Sequence, residues 1–401
     1  MIDFPHLSSL VRKNDAKIVM LVVDGLGSIP HPVHGRSELE AARIPNLDNL
    51  ARRSAAGSIQ MLLPGVTVGS GPGHLALFGY DPLKYQLGRG ALEAMGAGLE
   101  LAPGDIAARG NFATVDADGV IVDRRAGRLD SAVAAGLIEK LSTIKLDGVE
   151  TTPRLVDGYR FVLRLRGAGL DPGVSDTDPQ QTGVPLPEPV AGSKQAAKAA
   201  KLAAAFAKEA RAALNGSGPA NAVMLRGWSG PPALPSFCDN YGLRAAAIAS
   251  LPMYRGVGQL VGMDVLPTGE TLASELDTLQ QHWADYDFFY LHYKDADVAG
   301  ESLGFAAKKQ ALENLDVALP RLLALKPDVL IVTGDHSTPS FIESHSWHPV
   351  PLLVNSKWSE GDGVHRFNER EVRAGSLGTM DAKHVMLLAL AHAGRLLRFG
   401  A

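Results

Sequence analysis

Asp335 and His336 stand directly behind the apolar run 329–332, and a carboxylate beside an imidazole at the carboxyl end of a buried strand can grip a divalent metal ion. Asp24 closes another apolar run, 18–23, and Asp297 follows a third, 288–291. Ser70 lies in the glycine-rich stretch Gly69-Ser70-Gly71-Pro72-Gly73, immediately ahead of His74. A serine hydroxyl is inert near neutral pH, and contact with a metal ion lowers its pKa enough to make it a nucleophile. Together these groups point to phosphoryl transfer at a two-metal centre, where ions roughly 3.5–4 Å apart clamp the moving group.

Each residue alone has a plainer reading. A single Asp at a strand end is commonly a solvated residue or a helix cap, and a glycine-rich stretch is commonly a turn. Asp297 and Glu301 are four apart, so on a helix both carboxylates share one face and can share an ion; a solvated pair facing Lys308 is an equally simple account. His345, in His345-Ser346-Trp347-His348-Pro349, follows the Asp335-His336 strand by a short connection and can return to the same rim. The glycines around Ser70 allow a close backbone approach to phosphate and leave amides free at the start of a helix expected over 74–78, with His74 placed among the substrate-binding groups. Two rival motifs fail: the spacing around Ser70 is wrong for a G-x-S-x-G elbow, and Gly88-Arg89-Gly90 has Glu93 where a dinucleotide fingerprint needs glycine.

Arginines supply the other half of a phosphate and carboxylate site: Arg124, Arg125 and Arg128, then Arg164 and Arg166, then Arg226 and Arg255. Their bidentate forks suit a substrate that carries both anions, although any one of them could be a surface salt bridge.

Positioning such groups requires strands whose carboxyl ends meet on one rim, as in an open parallel sheet. Short β-branched runs alternate with helix-compatible segments near both ends of the chain, the pattern of an α/β core. Between them the segments 119–123 and 159–165 look antiparallel, and 193–214 reads as a helix capped by Ser193. The expected organisation is a discontinuous catalytic domain, 1–88 with 237–401, interrupted by an inserted α+β domain, 89–236. A core split this way would carry its cleft between two lobes. The 401 residues, 46% apolar and 20% charged, suffice for two cores, and a formal charge of −4 gives no general attraction to nucleic acid or anionic membrane. Cys238 is the only cysteine, which excludes an internal disulfide and a thiolate zinc site. No signal peptide or spanning segment is legible, so a cytoplasmic location is the expectation, and homo-oligomerisation stays open.

Taken in order, Val22-Val23-Asp24-Gly25, Pro45-Asn46-Leu47-Asp48, the stretch 70–74 with Phe78-Gly79-Tyr80-Asp81-Pro82, and the segments 123–128, 294–300, 333–339 and 345–351 resemble the archaeal type of cofactor-independent phosphoglycerate mutase. That family belongs to the alkaline phosphatase superfamily. The resemblance implies a parallel-sheet core with helices on both faces, interrupted by a substrate-orienting domain. It also implies interconversion of 3- and 2-phosphoglycerate through a phosphoserine, without 2,3-bisphosphoglycerate. Carried across, Ser70 is the nucleophile and binds one metal with Asp24, Asp335 and His336, while Asp297 and His345 bind a second. Mn²⁺ is the expected ion, with Mg²⁺, Zn²⁺ or Co²⁺ as alternatives. The chain departs from the family at Glu301, usually histidine, and at Gly71, commonly aspartate; an oxygen ligand at 301 would favour harder ions. The competing readings are a metal-dependent phosphatase or phosphotransferase for another small phosphorylated metabolite, and a silent metal-binding paralogue.

Overall fold

The computed structural model describes residues 2–361 and 363–400. In chain order the strands are β1 (Ile18–Val23), β2 (Ala55–Gln60), β3 (Ile106–Val115), β4 (Ile121–Asp123), β5 (Glu150–Asp157), β6 (Arg160–Arg166), β7 (Ala222–Ser229), β8 (Ala245–Ile248), β9 (Asp264–Val265), β10 (Phe288–Tyr293), β11 (Val329–Thr333), β12 (Val350–Ser356) and β13 (Gly378–Asp381). The chain divides into two compact units, Met1–Gln86 with Leu234–Ala401, and Leu87–Ala233.

The first unit is α/β. Its eight-stranded sheet runs β13-β2-β12-β11-β1-β10-β8-β9. Strands β1, β10 and β11 are buried at every residue, which is why they read as mainly apolar runs without polar alternation, His292 and Thr333 near their ends excepted. They are parallel neighbours, with Val22 level with both His292 and Thr333. The residues that follow all three strands therefore leave the sheet at one edge. The sheet is mixed where a parallel one was expected, because β12 runs antiparallel to both β11 and β2. Helix Pro45–Ala51 opens on proline with no side-chain cap of its own. Its free amides are instead met by buried Asp316, whose Oδ1 accepts from Leu47 N at 2.7 Å.

The second unit is α+β. Its five strands are antiparallel, in the order β4-β3-β6-β5 with β7 on β3. Alternation along β6 sends Phe161, Leu163 and Leu165 into a core with Phe112, Phe206 and Leu225. Val162 packs in a second cluster on the other face, with Ala94, Leu99 and Ala107. The helix expected from Ser193 begins at Ala197; the Ser193 hydroxyl instead accepts from Ala196 N, closing a turn ahead of it. Cys238 is only partly buried, its Sγ donating to Gly262 O. Among the described residues no helix is long and apolar enough to cross a membrane.

Glu275 in the first unit gives a pH-dependent prediction. It is buried, one carboxyl oxygen accepts from Ser250 N at 2.9 Å, and the other has no hydrogen-bond partner among the described residues. Burial pushes its pKa up to about 8. A carboxyl raised on folding binds its proton more tightly in the native state, so its contribution is full below the unfolded value and is lost as pH rises through the folded one. The midpoint of thermal unfolding should therefore fall between pH 6 and pH 9, and Glu275→Gln should raise it at pH 9 by about 2–5 °C. Identical melting shifts in the two proteins across that range would remove Glu275 as the cause.

Candidate functional site

At the shared strand edge, Asp24 follows β1 directly, and Asp335-His336 lie just beyond β11. One oxygen or nitrogen from each of these three residues lies within 4.8 Å of the others, and all three are fully buried. His336 Nε2 is 3.2 Å from Asp24 Oδ1, 3.3 Å from Asp335 Oδ2 and 3.2 Å from the Ser70 hydroxyl. Two glycines permit this closeness. A Cβ at Gly73 would lie 2.3 Å from the Asp335 carbonyl oxygen, and Gly25, at φ +66°, would drive one to 2.7 Å from Asp297 Oδ1.

The helix carrying the serine is Ser70–Leu77, so it starts four residues earlier than expected and Ser70 is its first residue. The amides of Ser70 and Gly71 open this helix, while Gly73 N already bonds Gly69 O. His74 is fully buried and 2.7 Å from the Ser70 carbonyl through Nδ1. It therefore orients the serine's backbone and does not reach outward to substrate. Burial, then the neighbouring His292, lowers its pKa to about 3, so it is a neutral imidazole.

The hydrogen bonds fix the tautomers of His336 and His345. Thr338 has one hydroxyl proton, donated to Asp297 Oδ1 at 2.7 Å, so its oxygen accepts from His336 Nδ1 at 3.0 Å. His345 Nδ1 lies 3.1 Å from the Val68 carbonyl, which can only accept. Both rings thus carry the proton on Nδ1 and turn the Nε2 lone pair towards carboxylates. His345 Nε2 is 3.2 Å from Glu301 Oε1 and 3.8 Å from Asp297 Oδ1, and its ring stacks on His336 at 3.6 Å. Asp297 and Glu301 share the helix Asp295–Ser302, with Asp297 in its first turn. Asp297, His336 and His345 form a second close donor group.

These donors fit divalent cations. Asp24 Oδ1 and Asp335 Oδ2 have no hydrogen-bond partner among the described residues, and a buried unpartnered carboxylate oxygen is costly unless a cation meets it. Burial works against ionisation of Asp24, yet the neighbouring His292 and His336 side chains and the Lys294 charge hold its carboxyl well below the usual range. Asp335 is pushed up by burial and by the charge of Asp24. Burial opposes a charge on His336 too, but the facing carboxylates lift it to about 9, so a proton and a metal ion compete for one lone pair.

Sequence reasoning missed three residues here. His292 Nε2 lies 3.1 Å from Asp24 Oδ2 with its ring stacked on Tyr254, and Lys294 Nζ bridges Asp24 Oδ2 at 3.1 Å and Asp297 Oδ2 at 2.6 Å. The third is Thr338. The available signal for the first two was a polar residue ending the apolar run of β10.

The arginines of the second unit are not one cluster. Arg124 grips Asp178 through Nε and Nη2, both at 2.9 Å, and Arg226 reaches the same carboxylate at 3.4 Å. Arg125 lies over the Tyr159 ring at 5.9 Å, and Arg128 adopts a left-handed backbone. Arg164 is committed to Glu150 and Thr152, and Arg166 to Asp105. Arg109, not anticipated, is register partner of Arg226 and pairs with Glu93 at 3.2 Å. Arg255 belongs to the first unit, in helix Pro252–Leu260.

Residues 51–219 match the family model described as 2,3-bisphosphoglycerate-independent phosphoglycerate mutase. A probable mutase of that name from Thermotoga neapolitana is 48% identical over 397 residues, covering 98% of both chains. Its counterpart from Thermus thermophilus is 46% identical over 403 residues, covering 99% of both. The solved cofactor-independent phosphoglycerate mutase of Thermoplasma acidophilum superposes with a TM-score of 0.77 at 29% identity, over 94% of this chain and 100% of that one.

Proposed function

This chain belongs to the 2,3-bisphosphoglycerate-independent phosphoglycerate mutases, isomerases that interconvert 3- and 2-phosphoglycerate, and we propose that it does so through a phosphoserine at Ser70. The supporting observation is the Ser70 hydroxyl, 3.2 Å from His336 Nε2 beside two carboxylate oxygens without partners. Asp24, Asp335, His336 and Ser70 would hold one divalent ion, and Asp297, His345 and Glu301 a second. Mn²⁺ suits this oxygen-rich set, with Mg²⁺, Zn²⁺ and Co²⁺ as competitors. Bound ions would lower the hydroxyl's pKa and offset charge on the phosphoryl oxygens.

Ser70 Oγ attacks phosphorus, the bond to the glycerate O3 breaks, and the proton lost by the serine ends on that oxygen. The glycerate turns, its O2 attacks the phosphoserine, and Ser70 regains a proton. Lys294, between the two donor groups, meets the charge of the moving phosphoryl group. Arg124, Arg125, Arg128 and Arg226 of the second unit remain the proposed anion-binding residues, while Arg164 and Arg166 stay in their pairs with Glu150 and Asp105 and brace its sheet. A glycolytic substrate supports the reading of a cytoplasmic enzyme.

Metal-stripped protein reloaded with Mn²⁺, Mg²⁺, Zn²⁺ or Co²⁺ and given 3-phosphoglycerate without 2,3-bisphosphoglycerate should form 2-phosphoglycerate, fastest with Mn²⁺. Release of inorganic phosphate without isomerisation under every ion would replace the mutase reading with a phosphatase.

A further inference from the structure

Lys308 lies in helix Phe305–Leu323, fully buried, and does not face the Asp297–Glu301 pair as a solvated cation would. Its ammonium donates to the carbonyls of Gly25 at 2.7 Å, Gly27 at 3.1 Å and Thr338 at 2.7 Å. An ammonium has three N–H groups, so all are used, and all on backbone. Its charge is answered at longer range by the buried carboxylates of Glu38 and Glu369. Gly25 and Gly27 sit in the loop that leaves β1 immediately after Asp24, and Thr338 sits two residues beyond His336. The two loops are also joined by Thr338 N donating to Gly27 O at 2.9 Å. From Thr338 the network continues through its hydroxyl to Asp297 Oδ1 and His336 Nδ1. One side chain thus fixes the backbone of the loops that carry Asp24 and His336, and is linked to Asp297 through Thr338, without touching any of these three.

We propose that Lys308 is a positioning residue that holds the Asp24 loop and the Asp335-His336 loop in register, so that both donor groups are arranged before an ion arrives. The proposal rests on the two-metal reading above. Groups that orient metal ligands from behind typically change metal affinity by about 10–100-fold when removed. Lys308→Met retains the length of the stem and removes the three donors. Mn²⁺ binding is measured by calorimetry on stripped full-length protein, with the fold checked by circular dichroism and the Michaelis constant for 3-phosphoglycerate measured at saturating Mn²⁺.

The expected result is a folded protein whose Mn²⁺ dissociation constant rises about 10–100-fold while the Michaelis constant stays within about twofold. A purely scaffolding role would lower the melting temperature and leave Mn²⁺ affinity unchanged in the folded variant, and that outcome overturns the proposal. If Lys308→Met does not fold, Thr338→Val is the next variant. It removes the hydroxyl link that carries the network to Asp297 and His336 but leaves the Lys308 bonds in place, so it is paired with Lys308→Gln, which drops the charge and one donor: wild-type Mn²⁺ affinity in folded Lys308→Gln overturns the proposal, and weakened affinity supports it. Wild-type protein that binds fewer than two ions would instead sink the two-metal reading itself.

Discussion

Ser70→Ala is expected to lower conversion of 3-phosphoglycerate by on the order of 10⁴-fold or more, the scale seen when a covalent nucleophile is removed. The substitution deletes one oxygen from the first residue of helix Ser70–Leu77, whose cap is the Gly69 backbone, so the helix start stays intact. His74 still holds the residue-70 carbonyl, because that bond is to backbone. The loss therefore falls on chemistry and leaves folding alone: no atom remains near His336 Nε2 that can accept and return a phosphoryl group. Steady-state turnover and incorporation of radiolabelled phosphate into acid-quenched protein should vanish together. Turnover within about tenfold of wild type would remove Ser70 from the reaction.

For Asp335→Asn, loss of one bound ion per chain and a fall in activity of about 10²–10⁴-fold at limiting Mn²⁺ are expected, from the loss of transition-state charge stabilisation. Asparagine has the same shape, and its carbonyl can still accept from Gly25 N, as Asp335 Oδ1 does at 3.2 Å. At the Oδ2 position, however, an amide NH₂ would face His336 Nε2, now 3.3 Å away. It would donate into the lone pair an ion needs, while the negative charge that draws the ion is gone. Elemental analysis after dialysis tests this directly. Two tightly held ions in the variant would show that Asp335 is dispensable to the centre.

Much of the site was legible because each of three apolar runs has an acid at its carboxyl end or within a few residues beyond it. An uninterrupted apolar run followed by an acid, as at Val23-Asp24, announces a buried strand with a polar residue at its tip, and parallel neighbours bring such tips together. Ser70 was legible from its glycines, whose small size the structure uses where Gly73 meets the Asp335 carbonyl. What stayed hidden depends on contacts distant in sequence. Nothing near Arg124 shows that Asp178 will hold it together with Arg226. Nor does the lysine at 308, in a polar-looking helix, show that it will be buried against carbonyls of two loops. His74 misled because the helix was expected to open at residue 74, whereas it begins at Ser70 and one turn carries His74 inward. The reversed direction of β12 was equally silent, since a buried antiparallel strand has the same apolar composition as a parallel one.

Strand β1 lies between β10 and β11, with Ile18 paired to Phe288 and Val329. On the ribosome those partners emerge on the order of tens of seconds after β1 at ordinary synthesis rates. The second unit, whose strands all lie between these segments, can complete its own pairings meanwhile. Asp24 is thus made long before the neighbours that β10 and β11 bring to it. The nascent chain must carry β1 apolar and unpaired throughout that wait, a segment that a chaperone would have reason to cover.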